Sequence, residues 1–169
     1  MSSLIYPALR LSVAAPRTFR ISGVRRFLSI KPVYTAEATA QGGRNGKVKT
    51  SDGLINLDLT TPKGLGGPGL PGKTNPEQLF ACGYAACFRG AMGPAAKQFN
   101  TELPDTTTVT GVVHIGPDAQ NKLGLAVELK VHVPGIDKKV VEAIVEAADQ
   151  VCPYSSATRG NIDVIKSVV

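Results

Sequence analysis

Between Leu79 and Met92 the residues are small or apolar on nearly every side of a helix, and Arg89 is the single charge. A surface helix needs a polar face, so a helix of this composition has to be enclosed by protein. Its start is equally plain. Thr74 or Asn75 can cap it, Pro76 suits the first position, and Glu77 puts a negative charge where the helix dipole favours one. Gly93-Pro94 either ends it or kinks it on the way to about Phe99. The rest of the chain must wrap this central helix, which carries Cys82 and Cys87.

The flanking segments supply the wrapping. Val33 to Thr39 reads as a strand, and Gln41-Gly42-Gly43-Arg44-Asn45-Gly46 is a turn cluster containing the hairpin signal Asn-Gly. Lys47 to Thr50 returns as a second strand. Leu54 to Thr60, with Ile55, Leu57 and Leu59 at period two, makes a third. After the helix, Thr106 to Gly116 and Leu123 to Val133 form another hairpin. Leu125, Val127, Leu129, Val131 and Val133 share one face of it, with Glu128, Lys130 and His132 on the other. His114 and His132 are read as ordinary strand histidines on wet faces. Asp137 caps a second helix, Lys138 to Val151, and Ile162 to Val168 closes the chain as a strand. The order β-β-β-α-β-β-α-β defines an α+β fold, and 169 residues give room for one domain with a core.

Charge narrows the function. The formal charge is +6, but Arg10, Arg17, Arg20, Arg25, Arg26 and Lys31 all precede the first acid. The remaining 13 basic residues balance 13 acids, so the body is neutral and implies no nucleic-acid groove. No apolar run approaches the roughly 20 residues that span a bilayer. An arginine-rich, serine-containing, acid-free leader with Leu4, Ile5, Leu9, Leu11 and Val13 has the composition of a mitochondrial transit peptide. Residues 1–30 are read as that presequence, cut near Leu28 after Arg25-Arg26-Phe27, and residues 31–169 as a single domain in the mitochondrial matrix.

In a reducing compartment three cysteines are free, metal-bound or redox-active. A thiol with a pKa of about 8.5 is only roughly 3% ionised at neutral pH, and burial lowers that further. A guanidinium about 4 Å away, at an effective dielectric near 20, contributes up to about 4 kcal/mol before desolvation. Half of that lowers a thiol pKa by about 1.5. Arg44, in its glycine-rich turn, can swing a guanidinium over the helix, where Glu77 can hold it in a bidentate pair. Cys152, between a helix end and Pro153, is a second candidate thiol. With Cys87 these residues could make a redox site.

Asn75-Pro76-Glu77-Gln78-Leu79-Phe80-Ala81, Gly83-Tyr84-Ala85-Ala86-Cys87-Phe88 and Cys152-Pro153-Tyr154-Ser155 through Asp163 closely resemble the organic hydroperoxide resistance (Ohr) family of the OsmC superfamily, over roughly residue 33 to the end. The resemblance implies an OsmC-like fold: antiparallel sheets around two long central helices, in an intertwined homodimer with two sites near the interface. It implies that Cys87 is the peroxidatic thiolate, that Cys152 resolves it through a disulfide, and that Arg44 and Glu77 are the activating pair. The implied activity is reduction of alkyl and fatty-acid hydroperoxides, with dihydrolipoamide or a lipoylated protein as reductant and with neither cofactor nor metal. Phe80 and Phe88 are read as apolar walls for the substrate. Cys82 departs from the family pattern. It lies about 140° round the helix from Cys87, too far for a direct disulfide, and reads as a small buried residue.

Three other readings carry less. Gly67-Pro68-Gly69-Leu70-Pro71-Gly72-Lys73-Thr74 matches a phosphate-loop pattern, but Pro68 and Pro71 delete two backbone donors that such a loop needs. Cys-Pro-Tyr-Ser is also a monothiol glutaredoxin string, though here it follows a helix near the C-terminus. A non-catalytic ligand- or metal-binding module lacks any C-x-x-C or H-x-x-x-H spacing.

Overall fold

The computed structural model describes residues 30–169, and every strand and helix among the described residues belongs to the compact unit Ala36–Val169. The presequence reading of residues 1–30 falls almost wholly outside the described residues. In chain order the elements are β1 (Ala38–Gln41), β2 (Lys47–Thr50), β3 (Asn56–Asp58), α1 (Pro76–Lys97), β4 (Thr108–Pro117), β5 (Leu123–His132), α2 (Lys138–Val151), α3 (Pro153–Thr158) and β6 (Asp163–Val168). The α+β class and its order hold, with one addition. Cys-Pro-Tyr-Ser, read only as following the second helix, opens the short helix α3, because Pro153 is well suited to a first helical position.

Strands β1, β2 and β3 form one antiparallel sheet and β4, β5 and β6 a second. The antiparallel expectation holds for every pair except β5 and β6, which run parallel. A parallel return needs a crossover, and α2 with α3 supplies it. The first strand is shorter and later than its sequence pattern suggested: Val33 and Tyr34 precede it and are exposed. His114 and His132 are exposed, as their alternation predicts.

Helix α1 is capped by Asn75, whose side chain accepts from the Gln78 N–H at 2.9 Å. It runs through Pro94 to Lys97, and Asn100, at φ 50°, turns the chain away. One of its sides carries Tyr84, Phe88, Met92 and Ala95, spaced by three or four residues. These pack with Val127, Leu129 and Val131 of β5 and Val141, Ile144 and Ala148 of α2. Burying each large apolar side chain contributes about 1.5–3 kcal/mol, so this seam holds helix, sheet and helix together. Gly111 is where β4 crosses α1: a Cβ there would meet the Ala81 carbonyl oxygen at 2.8 Å.

The opposite side of α1 corrects the reading of a helix enclosed all round. Cys82, Ala86 and Gly90 form an exposed stripe of small residues within the single chain. They point away from both the sheet and α2. Cys82 is therefore an exposed thiol, not the buried small residue its composition suggested.

Candidate active site

Two pairs of predicted residues meet in the structure. At the first turn of α1, Arg44 Nη1 donates to Glu77 Oε2 at 2.9 Å and Nη2 to Oε1 at 2.7 Å. Arg44 reaches the helix because Gly42 and Gly43 take positive φ angles, 76° and 58°, at the cap and first residue of a single 3-10 turn, Gly43–Asn45. The bond to Arg44 holds the Glu77 carboxyl below its usual range, against the opposing effect of burial.

Farther along α1, Cys87 lies under the joint between α2 and α3. Cys152 is at once the last cap of α2 and the first of α3, and it is fully buried. The two sulfurs are 3.6 Å apart and both thiols are free. Burial pushes the Cys87 thiol up from its ordinary value, and the neighbouring Cys152 pushes the same way. The Tyr154 backbone N–H acts in the opposite direction, favouring the thiolate.

The two pairs do not meet within one chain. Glu77 and Cys87 are ten residues apart on one helix, which at 1.5 Å per residue is about 15 Å. Arg44 is accordingly not among the groups that shift the Cys87 thiol. Within one chain, among the described residues, the fold places no guanidinium over the Cys87 thiol.

The two predicted walls also part company. Phe80 borders an open cleft of about 400 Å3 with Arg44, Glu77, Ile115, Leu123 and Leu125. Phe88 does not wall it, being fully buried in the seam between α1, β5 and α2. Its position one residue after Cys87 turns it about 100° round the helix, into the core.

Sequence reasoning missed a group of side chains beside the cysteines. Tyr154 stacks on Phe80, with centroids 6.1 Å apart, and tilts against Tyr84 at 5.7 Å. The Tyr84 hydroxyl, fully buried, is 3.0 Å from Ser155 Oγ and 3.3 Å from Thr158 Oγ1. Tyr154 and Ser155 were in view as part of the Cys-Pro-Tyr-Ser string, and Pro153 was a signal for the helix that carries them. Tyr84 gave no such signal, since a tyrosine in an apolar helix reads as packing.

The phosphate-loop match is set aside by its own hydrogen bonds. The backbone N–H groups of Gly66, Gly67 and Gly69 donate to carbonyls of Lys63, Pro62 and Thr61, and that of Leu70 to Thr60 Oγ1. They are spent inside the loop. The Cys-Pro-Tyr-Ser helix opens directly from α2, not from a strand as the glutaredoxin reading requires.

Residues 67–166 match the family model described as OsmC-like protein. The chain is 52% identical to the organic hydroperoxide resistance protein of Xanthomonas axonopodis pv. citri over 79% of its own length and 93% of the relative's. The chain belongs to the organic hydroperoxide resistance group of the OsmC family. Bacillus subtilis OhrB, another member, is 42% identical over 78% of this chain and 95% of its own. The fold agrees: the crystal structure of an organic hydroperoxide resistance protein from Legionella pneumophila superposes with a TM-score of 0.75 at 47% identity, covering 82% of this chain and 98% of that one. Family membership supports an oxidoreductase role in hydroperoxide detoxification, and it fits a cleft that is apolar apart from one ion pair.

Proposed function

We propose that the chain is a thiol peroxidase that reduces organic hydroperoxides to alcohols through Cys87 and Cys152. The observation that carries this is the 3.6 Å separation of the two sulfurs at the joint of α2 and α3, beside a backbone N–H that favours the Cys87 thiolate. In the proposed cycle the Cys87 thiolate attacks the distal oxygen of R–O–O–H. The O–O bond breaks, the alkoxide leaves and takes up a proton, and the sulfur becomes a sulfenic acid. Cys152 then displaces hydroxide to give the disulfide, and an external dithiol reduces it by exchange.

Arg44 and Glu77 enter as the partner's residues. An intertwined homodimer with α1 helices packed along the stripe of Cys82, Ala86 and Gly90 can bring the N-terminus of one helix to the middle of the other. Each Cys87 would then receive the Arg44–Glu77 pair of the second chain, overcoming the 15 Å gap within its own (ten residues at about 1.5 Å each). The guanidinium would stabilise the thiolate and the departing alkoxide, while Glu77 fixes its direction. The same pairing brings the cleft bordered by Phe80, Ile115 and Leu125 beside the thiol, where an alkyl chain suits the lining and hydrogen peroxide gains nothing.

Dihydrolipoamide or a lipoylated protein is the proposed reductant, and the arginine-rich leader supports import into the mitochondrial matrix. The deciding experiment follows consumption of cumene hydroperoxide with dihydrolipoamide for wild type and Cys87→Ser. Turnover that disappears with Cys87 supports the reading, and Cys152→Ser should then oxidise once and recycle poorly. Turnover that survives Cys87→Ser overturns it.

A further inference from the structure

Helix α3 has six residues, too few to hold its own shape in isolation. Because Cys152 is its cap, the distance between the two sulfurs depends on how α3 is seated. On one side the Tyr84 hydroxyl fastens Ser155 and Thr158. On the other, Asp149 gathers two cations onto a single oxygen: Arg159 Nη2 and Lys166 Nζ both lie 3.1 Å from Asp149 Oδ2. Arg159 Nη2 also donates to the Asp149 backbone carbonyl at 2.8 Å. Asp149 belongs to α2, Arg159 ends α3 and Lys166 belongs to β6, so one carboxylate ties three elements together. It is only 7% exposed, and a small cavity of about 150 Å3 opens among these side chains.

We infer that Asp149 is a positioning residue for Cys152: by drawing Arg159 and Lys166 onto one oxygen it seats α3 and keeps the Cys152 sulfur against Cys87. The inference rests on the proposed role of Cys152 as resolving thiol. In that step the Cys152 thiol and the Cys87 sulfenic acid give a disulfide and water: the S–S bond forms, the S–O bond breaks, and the departing hydroxide takes the thiol proton. The rate depends on how often the sulfurs are in line. Without the carboxylate, Arg159 and Lys166 become adjacent like charges, which push the end of α3 away from β6.

The test measures the Cys87–Cys152 disulfide in glutathione redox buffers, which needs no hydroperoxide. Asp149→Asn, nearly isosteric, should lower the effective concentration of the two thiols at least tenfold while far-UV circular dichroism stays unchanged. Adding Lys166→Met to Asp149→Asn should recover at least threefold by removing the repulsion, which a merely structural loss would not do. Arg159→Met, at a side chain 47% exposed, tests the same seat should Asp149→Asn not fold, with at least a threefold fall expected. A folded Asp149→Asn within twofold of wild type, a double variant worse than the single, or an Arg159→Met equal to wild type overturns the inference. A wild type that forms the disulfide as described yet consumes no hydroperoxide overturns the peroxidase reading and leaves the seat of α3 standing.

Discussion

Arg44 and Glu77 join the glycine-rich turn after β1 to the first turn of α1 through two parallel hydrogen bonds of 2.9 and 2.7 Å, about 15 Å along the helix from the Cys87 of their own chain. That separation makes the two-chain site testable. Mixing Arg44→Met chains with Cys87→Ser chains yields heterodimers in which one site has both Cys87 and an intact partner Arg44. Random pairing makes half the dimers mixed, each with one good site of two, so about a quarter of wild-type activity should return from two inactive parents. No recovery above the parents, with exchange verified by mass spectrometry, would mean that the arginine serves its own chain or none.

The protonation of Cys87 offers an independent check. Within one chain, burial and Cys152 raise its pKa above the ordinary thiol value. If the partner's guanidinium stands over it, the thiolate is favoured and the pKa falls. Alkylation of Cys87 by iodoacetamide in a Cys82→Ser/Cys152→Ser background should therefore titrate below the ordinary thiol value in the dimer. Arg44→Met should move the midpoint upwards by at least 1, the direction expected when an opposite charge is lost. An unmoved midpoint would remove Arg44 from the activation step.

Much of the fold was legible because its strongest signals are local. Asn75, Pro76 and Asp137 mark helix starts by the hydrogen bonds they make or forgo, and the alternation of Val127, Leu129 and Val131 marks a half-buried strand. The ion pair of Arg44 with Glu77 was legible as chemistry. The distance from that pair to Cys87 could also have been read, since ten helical residues span about 15 Å whatever the tertiary fold. Phe88 was misread because adjacent helical residues face directions about 100° apart, so a neighbour of the reactive cysteine need not share its pocket. Asp149, Arg159 and Lys166 were out of reach. Only the parallel docking of β6 on β5 brings Lys166 to α2, and no local pattern encodes that pairing.

Acid should weaken the first turn of α1. Arg44 holds the Glu77 carboxyl below its ordinary 4.5, so the unfolded chain binds this proton more readily than the folded one. The stabilisation is full above the unfolded value and is lost as pH falls through the folded one. Arg44 is 38% exposed, and solvent screening limits the contribution to about 1 kcal/mol or less. Wild type should melt slightly above Glu77→Gln at pH 7, and the gap should close as the pH falls below about 4.5. A gap that widens in acid would mean the glutamate is unfavourably placed when charged.

Gly111 tests how α1 is held on the sheet. An added Cβ would lie 2.8 Å from the Ala81 carbonyl oxygen, a backbone atom that cannot rotate aside. Either β4 or α1 must shift, at a cost of about 1–3 kcal/mol. Gly116, on the same strand, has nothing within 4 Å of its would-be Cβ. Gly116→Ala should therefore melt near wild type or slightly above it, since alanine restricts the unfolded chain. Gly111→Ala should melt several degrees lower. Because Cys87 lies less than two turns beyond Ala81, the displaced helix should also carry its sulfur away from Cys152, slowing disulfide formation in the variant that melts early and not in the control. Equal melting of the two variants would show that β4 and α1 yield at their crossing without cost.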